Sequence, residues 1–160
     1  MGPFTDNPFA VLTTIVAPAV LTNACSVLAL GTGNRIARVV DRSRVVAAEL
    51  AALAADSPDR QSWERQLQAL HGRARYLFWA LRLTYTSLGA FAAAALIAVL
   101  GSAAAFLDSA WTFRAAAILG LLSGTVGVGG LIAGCGLMVQ EVRLALKYLG
   151  EESEPTAPVL

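Results

Sequence analysis

"NPFAVLTTIVAPAVLTNACSVLALGTGNRIARVVDRSR", residues 7–44, changes character once. From Asn7 to Asn34 it runs for 28 residues without a charged side chain, and then it places Arg35, Arg38, Arg42 and Arg44 within ten positions. A helix rising about 1.5 Å per residue needs roughly 20 apolar residues to cross about 30 Å of hydrocarbon. The first part is long enough to span a membrane, and the arginines read as the place where it leaves. Two further uncharged runs repeat the pattern, Leu83–Leu107 with 25 residues and Ala115–Gln140 with 26. The whole chain has 160 residues, 56% of them hydrophobic and 14% charged, whereas a soluble domain carries about 25% charged residues. An unusually apolar soluble bundle is the rival, and uncharged runs of this length count against it. Lipid offers no partner to backbone N–H and C=O groups, so the runs read as helices; the alternation of a membrane barrel is absent. The expected fold is an all-α, polytopic membrane protein with three transmembrane helices.

Charge gives the orientation. The stretch from Arg35 to Arg82 holds nine arginines against five acids, and the stretch between the second and third runs holds only Asp108 and Arg114. Basic residues near span ends stay on the cytoplasmic side. The chain therefore divides into a short outer N-terminus with the first span (1–34), a cytoplasmic helical hairpin (35–82), span two (83–107), a short outer loop (108–114), span three (115–140), and a cytoplasmic helix end with a mobile acidic tail (141–160). Its expected site is the bacterial cytoplasmic (inner) membrane, N-terminus outside and C-terminus inside. The first run is not expected to be a cleaved signal, because no Lys or Arg precedes it and it is too long for a signal's apolar region. Cys25 in "LTNAC" lacks the leucine and basic lead of a lipoprotein site. Asn7 and Pro8 suit a helix start, and Gly150 after "ALKYL" suits a stop. Trp79 and Tyr148 at one interface and Trp111 at the other suit aromatic belts.

Inside the 48-residue loop, Ile36, Val39, Ser43, Val46, Leu50 and Leu53 recur at steps of three and four, as do Trp63, Leu67, Leu70, Ala74, Leu77 and Leu81. That spacing predicts an antiparallel coiled-coil hairpin, with "DSPD" as the break, Ser57 as a cap and Pro58 at the first helical position. A helix lying on the membrane surface is the alternative. Arg35, Arg38, Arg42 and Arg44 lie beside the seam, where they are expected to meet anionic lipid headgroups, or alternatively an anionic ligand. Nucleic acid is not an expected partner, since acids interleave with the arginines and the net charge is only +1. The stretches "VAPAVLTNA" (16–24), "NRIARVVDR" (34–42) and "RARYL" (73–77) resemble a family of small bacterial membrane proteins catalogued as a domain of unknown function. The resemblance covers most of the chain, thinnest in span three and the tail. It implies three spans and carries no activity, substrate or catalytic residue.

Span three is rich in glycine. At 100° per residue Gly120, Gly124, Gly127 and Gly134 fall in one sector with Ser123 beside them, a face that lets helices approach closely. A dinucleotide-binding loop would need a preceding strand, which is missing. On span one, Thr14, Pro18, Thr22 and Cys25 share a stripe that could line a water path in an oligomer or, more simply, hydrogen-bond within and between helices. Neither a charged residue nor a histidine falls inside a span, which counts against coupled ion transport. His71 is the only histidine and has no thiol in reach in sequence terms, so no metal site is expected. Nor are a catalytic set or a cofactor. The reading is a non-enzymatic assembly or accessory protein that associates with itself or a larger membrane complex through the third span; a homo-oligomeric, anion-favouring pore is the runner-up.

Overall fold

The computed structural model describes residues 9–105 and 110–152, and side chains over 16–103 and 111–148. It is all-helical. Three helices follow one another, α1 over Phe9–Ala52, α2 over Arg60–Ala105 and α3 over Ala110–Glu152. All three are long and apolar enough to cross a membrane. With 44, 46 and 43 residues, each reaches roughly 65 Å at about 1.5 Å per residue, about twice the hydrocarbon thickness. The helices thus run well beyond their uncharged stretches, because a backbone ladder once started continues through polar residues as readily as through apolar ones.

Element ends differ in places from the sequence expectation. Arg60 N donates to the Ser57 carbonyl at 3.2 Å, while the Asp59 carbonyl accepts from Ser62 N at 3.0 Å and Trp63 N at 3.2 Å. Ser57–Arg60 is therefore a turn with Pro58 at its second position, and Asp59 is the residue whose carbonyl opens the α2 ladder. Proline favours that turn position, and aspartate caps a helix as well as serine does. Gly150 does not stop α3, which continues to Glu152; one glycine costs a helix about 1 kcal/mol relative to alanine and does not break its ladder. α3 also begins ahead of its apolar run, at Ala110. The Asn7–Pro8 start and the tail from 153 lie outside the described residues.

The chain forms two compact units. One takes α1 up to Leu30, α2 from Arg82 and α3 up to Ala133. Here α2 and α3 pack antiparallel: Gly101 lies opposite Ala116, Gly120 opposite Ile97, Gly127 opposite Phe91 and Gly130 opposite Ser87, each advance along α3 matching a retreat along α2. Ser123 Oγ donates to the Ala90 carbonyl of α2 at 2.8 Å. Thr84, Ser87, Phe91 and Ala94 of α2 are buried here and step by three and four along one face.

The other unit takes α1 from Gly31, α2 up to Leu81 and α3 from Gly134. Val39 and Val46 of α1 and Leu70 and Leu77 of α2 form its core, with Ile36, Trp63, Leu67 and Ala74 packed against it. These are positions of the three-four seam. Val46 and Leu77 are fully buried, and removing each from water stabilises by about 1.5–3 kcal/mol. α3 runs parallel to α1 here, with Thr32 Oγ1 against Met138 Sδ and Arg35 beside Glu141.

Candidate functional site

α3 contributes few buried residues, and three of them, Gly127, Gly134 and Glu141, are seven apart. Two turns beyond the last glycine of the stripe comes a carboxylate. Glu141 is 3% exposed, buried more completely than any other charged group among the described residues. Burying a carboxylate is costly unless it is paired and hydrogen-bonded. Two arginines supply that: Arg73 Nε donates to Glu141 Oε1 at 2.8 Å, and Arg35 Nη1 lies 3.7 Å from Oε2. The carboxylate on α3 thereby ties α1 and α2 together through their guanidinium groups.

The same residues border a cavity of about 340 Å³. Arg35, Arg38 and Arg42 enter from α1, Arg73 from α2 and Glu141 from α3, and Val39, Leu70 and Leu77 complete the lining. The α1 arginines come together because steps of three and four put them on one helix face. Four guanidinium groups therefore meet one carboxylate, itself engaged by two of them. Among the described residues Arg38 and Arg42 make neither a hydrogen bond nor an ion pair. Arg44 is exposed and does not border the cavity. Arg73 and Glu141 stand outside the sequence-derived site. The stripe Gly120, Gly127, Gly134 carried one heptad further ends at Glu141, which is the signal that reaches it; Arg73 lies one residue before seam position Ala74.

A second feature lies in the other unit. Ala17, Pro18 and Leu21 of α1, Phe91 and Ala94 of α2, and Gly120, Gly124, Thr125, Val128 and Gly129 of α3 are among the residues lining an apolar groove of about 620 Å³. It brings the proline of the span-one stripe onto the glycine face of span three. The glycines of α3 are divided in use. A Cβ at Gly127 would fall 2.6 Å from the Phe91 ring and one at Gly130 2.5 Å from Ser87 Oγ, so these two admit α2; one at Gly124 or Gly129 would meet no atom within 4 Å. A Cβ at Gly120 would lie 3.7 Å from Ile97 Cγ2, an ordinary contact distance, and Gly134 is buried in the arginine-bearing unit.

The span-one stripe is spent locally. Thr22 Oγ1 donates to the Pro18 carbonyl at 2.8 Å, and Cys25 is fully buried. The Pro18 ring leaves the Thr14 carbonyl without its usual helical donor, and Thr22 does not reach that carbonyl. Thr14's side chain lies outside the described set. Cys25 and Cys135 are free thiols, and no cluster of three metal-ligating side chains occurs among the described residues. A family model described as a protein of unknown function (DUF2721) matches residues 15–150. No curated protein and no solved structure matches the chain.

Proposed function

The chain belongs to this family of unknown function, and from that premise we propose that it is a non-enzymatic integral membrane protein which associates with further copies of itself, or with a larger membrane complex, through its third helix. The groove beside α3 carries this reading. Only 6% of the most apolar window of α3 is buried within the chain, and Gly124 and Gly129 open onto free space beside it. In lipid, where apolar side chains gain nothing by leaving the solvent, helices associate through close backbone approach at small residues. A groove lined on α3 by Gly120, Gly124 and Gly129 together with Val128 and Ile132 suits a helix from a second copy.

The proposal places the protein in the bacterial cytoplasmic membrane, with the N-terminus outside and the stretch 35–82 inside as a coiled-coil hairpin. The nine arginines of that stretch support the orientation, and the core around Val46 and Leu77 supports the seam. A pore is the competing reading. Against it stands Thr22, whose hydroxyl is turned onto its own helix.

Cross-linking of the full chain in proteoliposomes tests the assembly reading. Wild type should yield dimers or higher species, and Gly124→Leu should lose them while keeping its melting temperature. Persistent cross-links in both Gly124→Leu and Gly129→Leu would remove the groove from the interface. Solute flux into the same liposomes would favour the pore.

A further inference from the structure

The arginine cavity shares no lining residue with the proposed self-association groove, and it gathers four guanidinium groups around one carboxylate. Arg35, Arg38 and Arg42 share one face of α1, and Arg73 meets them from α2. Like charges three and four residues apart on a helix repel one another. The one acid in the lining, Glu141, holds Arg73 at 2.8 Å and Arg35 at 3.7 Å, which leaves Arg38 and Arg42, both exposed, without a protein acceptor among the described residues and open to a ligand. We propose that this cavity binds a phosphate-bearing anion, gripped by Arg38 and Arg42 together with the less firmly held Arg35, while Glu141 fixes Arg73 in place as the far wall.

Three observations converge on phosphate. A guanidinium fork matches tetrahedral oxyanions in pairs of parallel N–H bonds, and several arginines around one group suit a phosphate's spread charge. Size points to a compact ligand: about 340 Å³ lies at the lower end of the roughly 300–1,000 Å³ usual for small-molecule sites. Position agrees. Arg35 directly follows the first uncharged run and Glu141 directly follows the third, so these two stand where the sequence passes from hydrocarbon to polar surroundings, the level of lipid phosphates, and Arg38 and Arg42 continue away from it along α1. The apolar part of the lining, Val39, Leu70 and Leu77, gives room to a glycerol or acyl stem. The shared chemistry is a phosphate ester, delivered either as a lipid headgroup or as a free phosphate compound. Glu141 is a positioning residue in this arrangement: it repels an anion directly, and its effect is to order Arg73 and Arg35.

The test uses the full chain purified in detergent and stripped of lipid, with binding read by native mass spectrometry and by thermal shift. The probes are phosphatidic acid, glycerol 3-phosphate, and diacylglycerol, which has the acyl chains without the phosphate. Two double variants remove equal charge from exposed positions: Arg38→Gln with Arg42→Gln, which line the cavity, and Arg44→Gln with Arg75→Gln, which do not. Wild type should bind phosphatidic acid and not diacylglycerol. The cavity variant should weaken that binding by about tenfold or more, as expected for losing charge-assisted bonds, and the outer variant by less than about twofold. Competition by glycerol 3-phosphate identifies a free phosphate ester as sufficient, and its failure to compete identifies the lipid form; both support the site. Equal losses in the two double variants, unchanged binding in the cavity variant, or equal binding of diacylglycerol would each overturn it.

Discussion

Glu141 sits at 3% exposure between two arginines that remain partly open to solvent, at 33% for Arg73 and 44% for Arg35. The asymmetry predicts unequal effects of removing either side. Glu141→Gln frees two guanidinium groups that can hydrate, at a cost of about 1–3 kcal/mol. Arg73→Gln leaves a buried carboxylate with one distant partner and should cost about 3–5 kcal/mol. Chemical unfolding in detergent ranks them, and a larger loss for Glu141→Gln would contradict the argument. Glycines divide in the same manner. Gly127→Ala drives a Cβ to 2.6 Å from a Phe91 ring that is itself 1% exposed, a case of overpacking worth about 1–3 kcal/mol. Gly124→Ala meets open space and should be neutral or stabilising by up to about 1 kcal/mol through helix propensity; melting temperatures of the two variants separate these outcomes. Composition made the glycine face legible, since size alone qualifies a residue for close packing. It did not assign each glycine to α2 or to the groove, because that depends on where a neighbouring helix stands. Glu141 was not legible in the same way, because it stands one residue beyond the uncharged run that ends at Gln140.

Among elements, the α1–α2 seam was the most legible. Periodicity is a local property of a helix surface, so Val39, Val46, Leu70 and Leu77 could be named from spacing alone. Leu77→Ala should cost about 2–5 kcal/mol, the usual penalty for emptying a filled site. Limited trypsin digestion should then cut sooner at the arginines between Arg60 and Arg82, with membrane insertion unchanged. Equal digestion of wild type and variant would mean the seam contributes little to that unit. Helix ends were less legible. The uncharged runs report which solvent a segment tolerates, and that is a different quantity from the continuity of its hydrogen-bond ladder. Hence α3 starts at Ala110 and passes Gly150, and the α2 ladder opens at Asp59 rather than Ser57.

For the molecule as a whole, the orientation is open to direct measurement. With Cys135, which is exposed, first changed to alanine, Ser57→Cys should react with an impermeant maleimide only from the cytoplasmic face. Trp111→Cys, at a position 79% exposed, should react only from the outer face. Labelling of both from one side would overturn the three-span arrangement. The ion pair through Glu141 also sets a clock on synthesis. Ribosomes deliver Arg73 before Glu141 by 68 positions, a delay of roughly 3–14 s at about 5–20 residues per second. Through that interval the nascent chain carries both of its arginines and not their acid. A chain abandoned after its second helix is therefore more cationic at this point than a finished one.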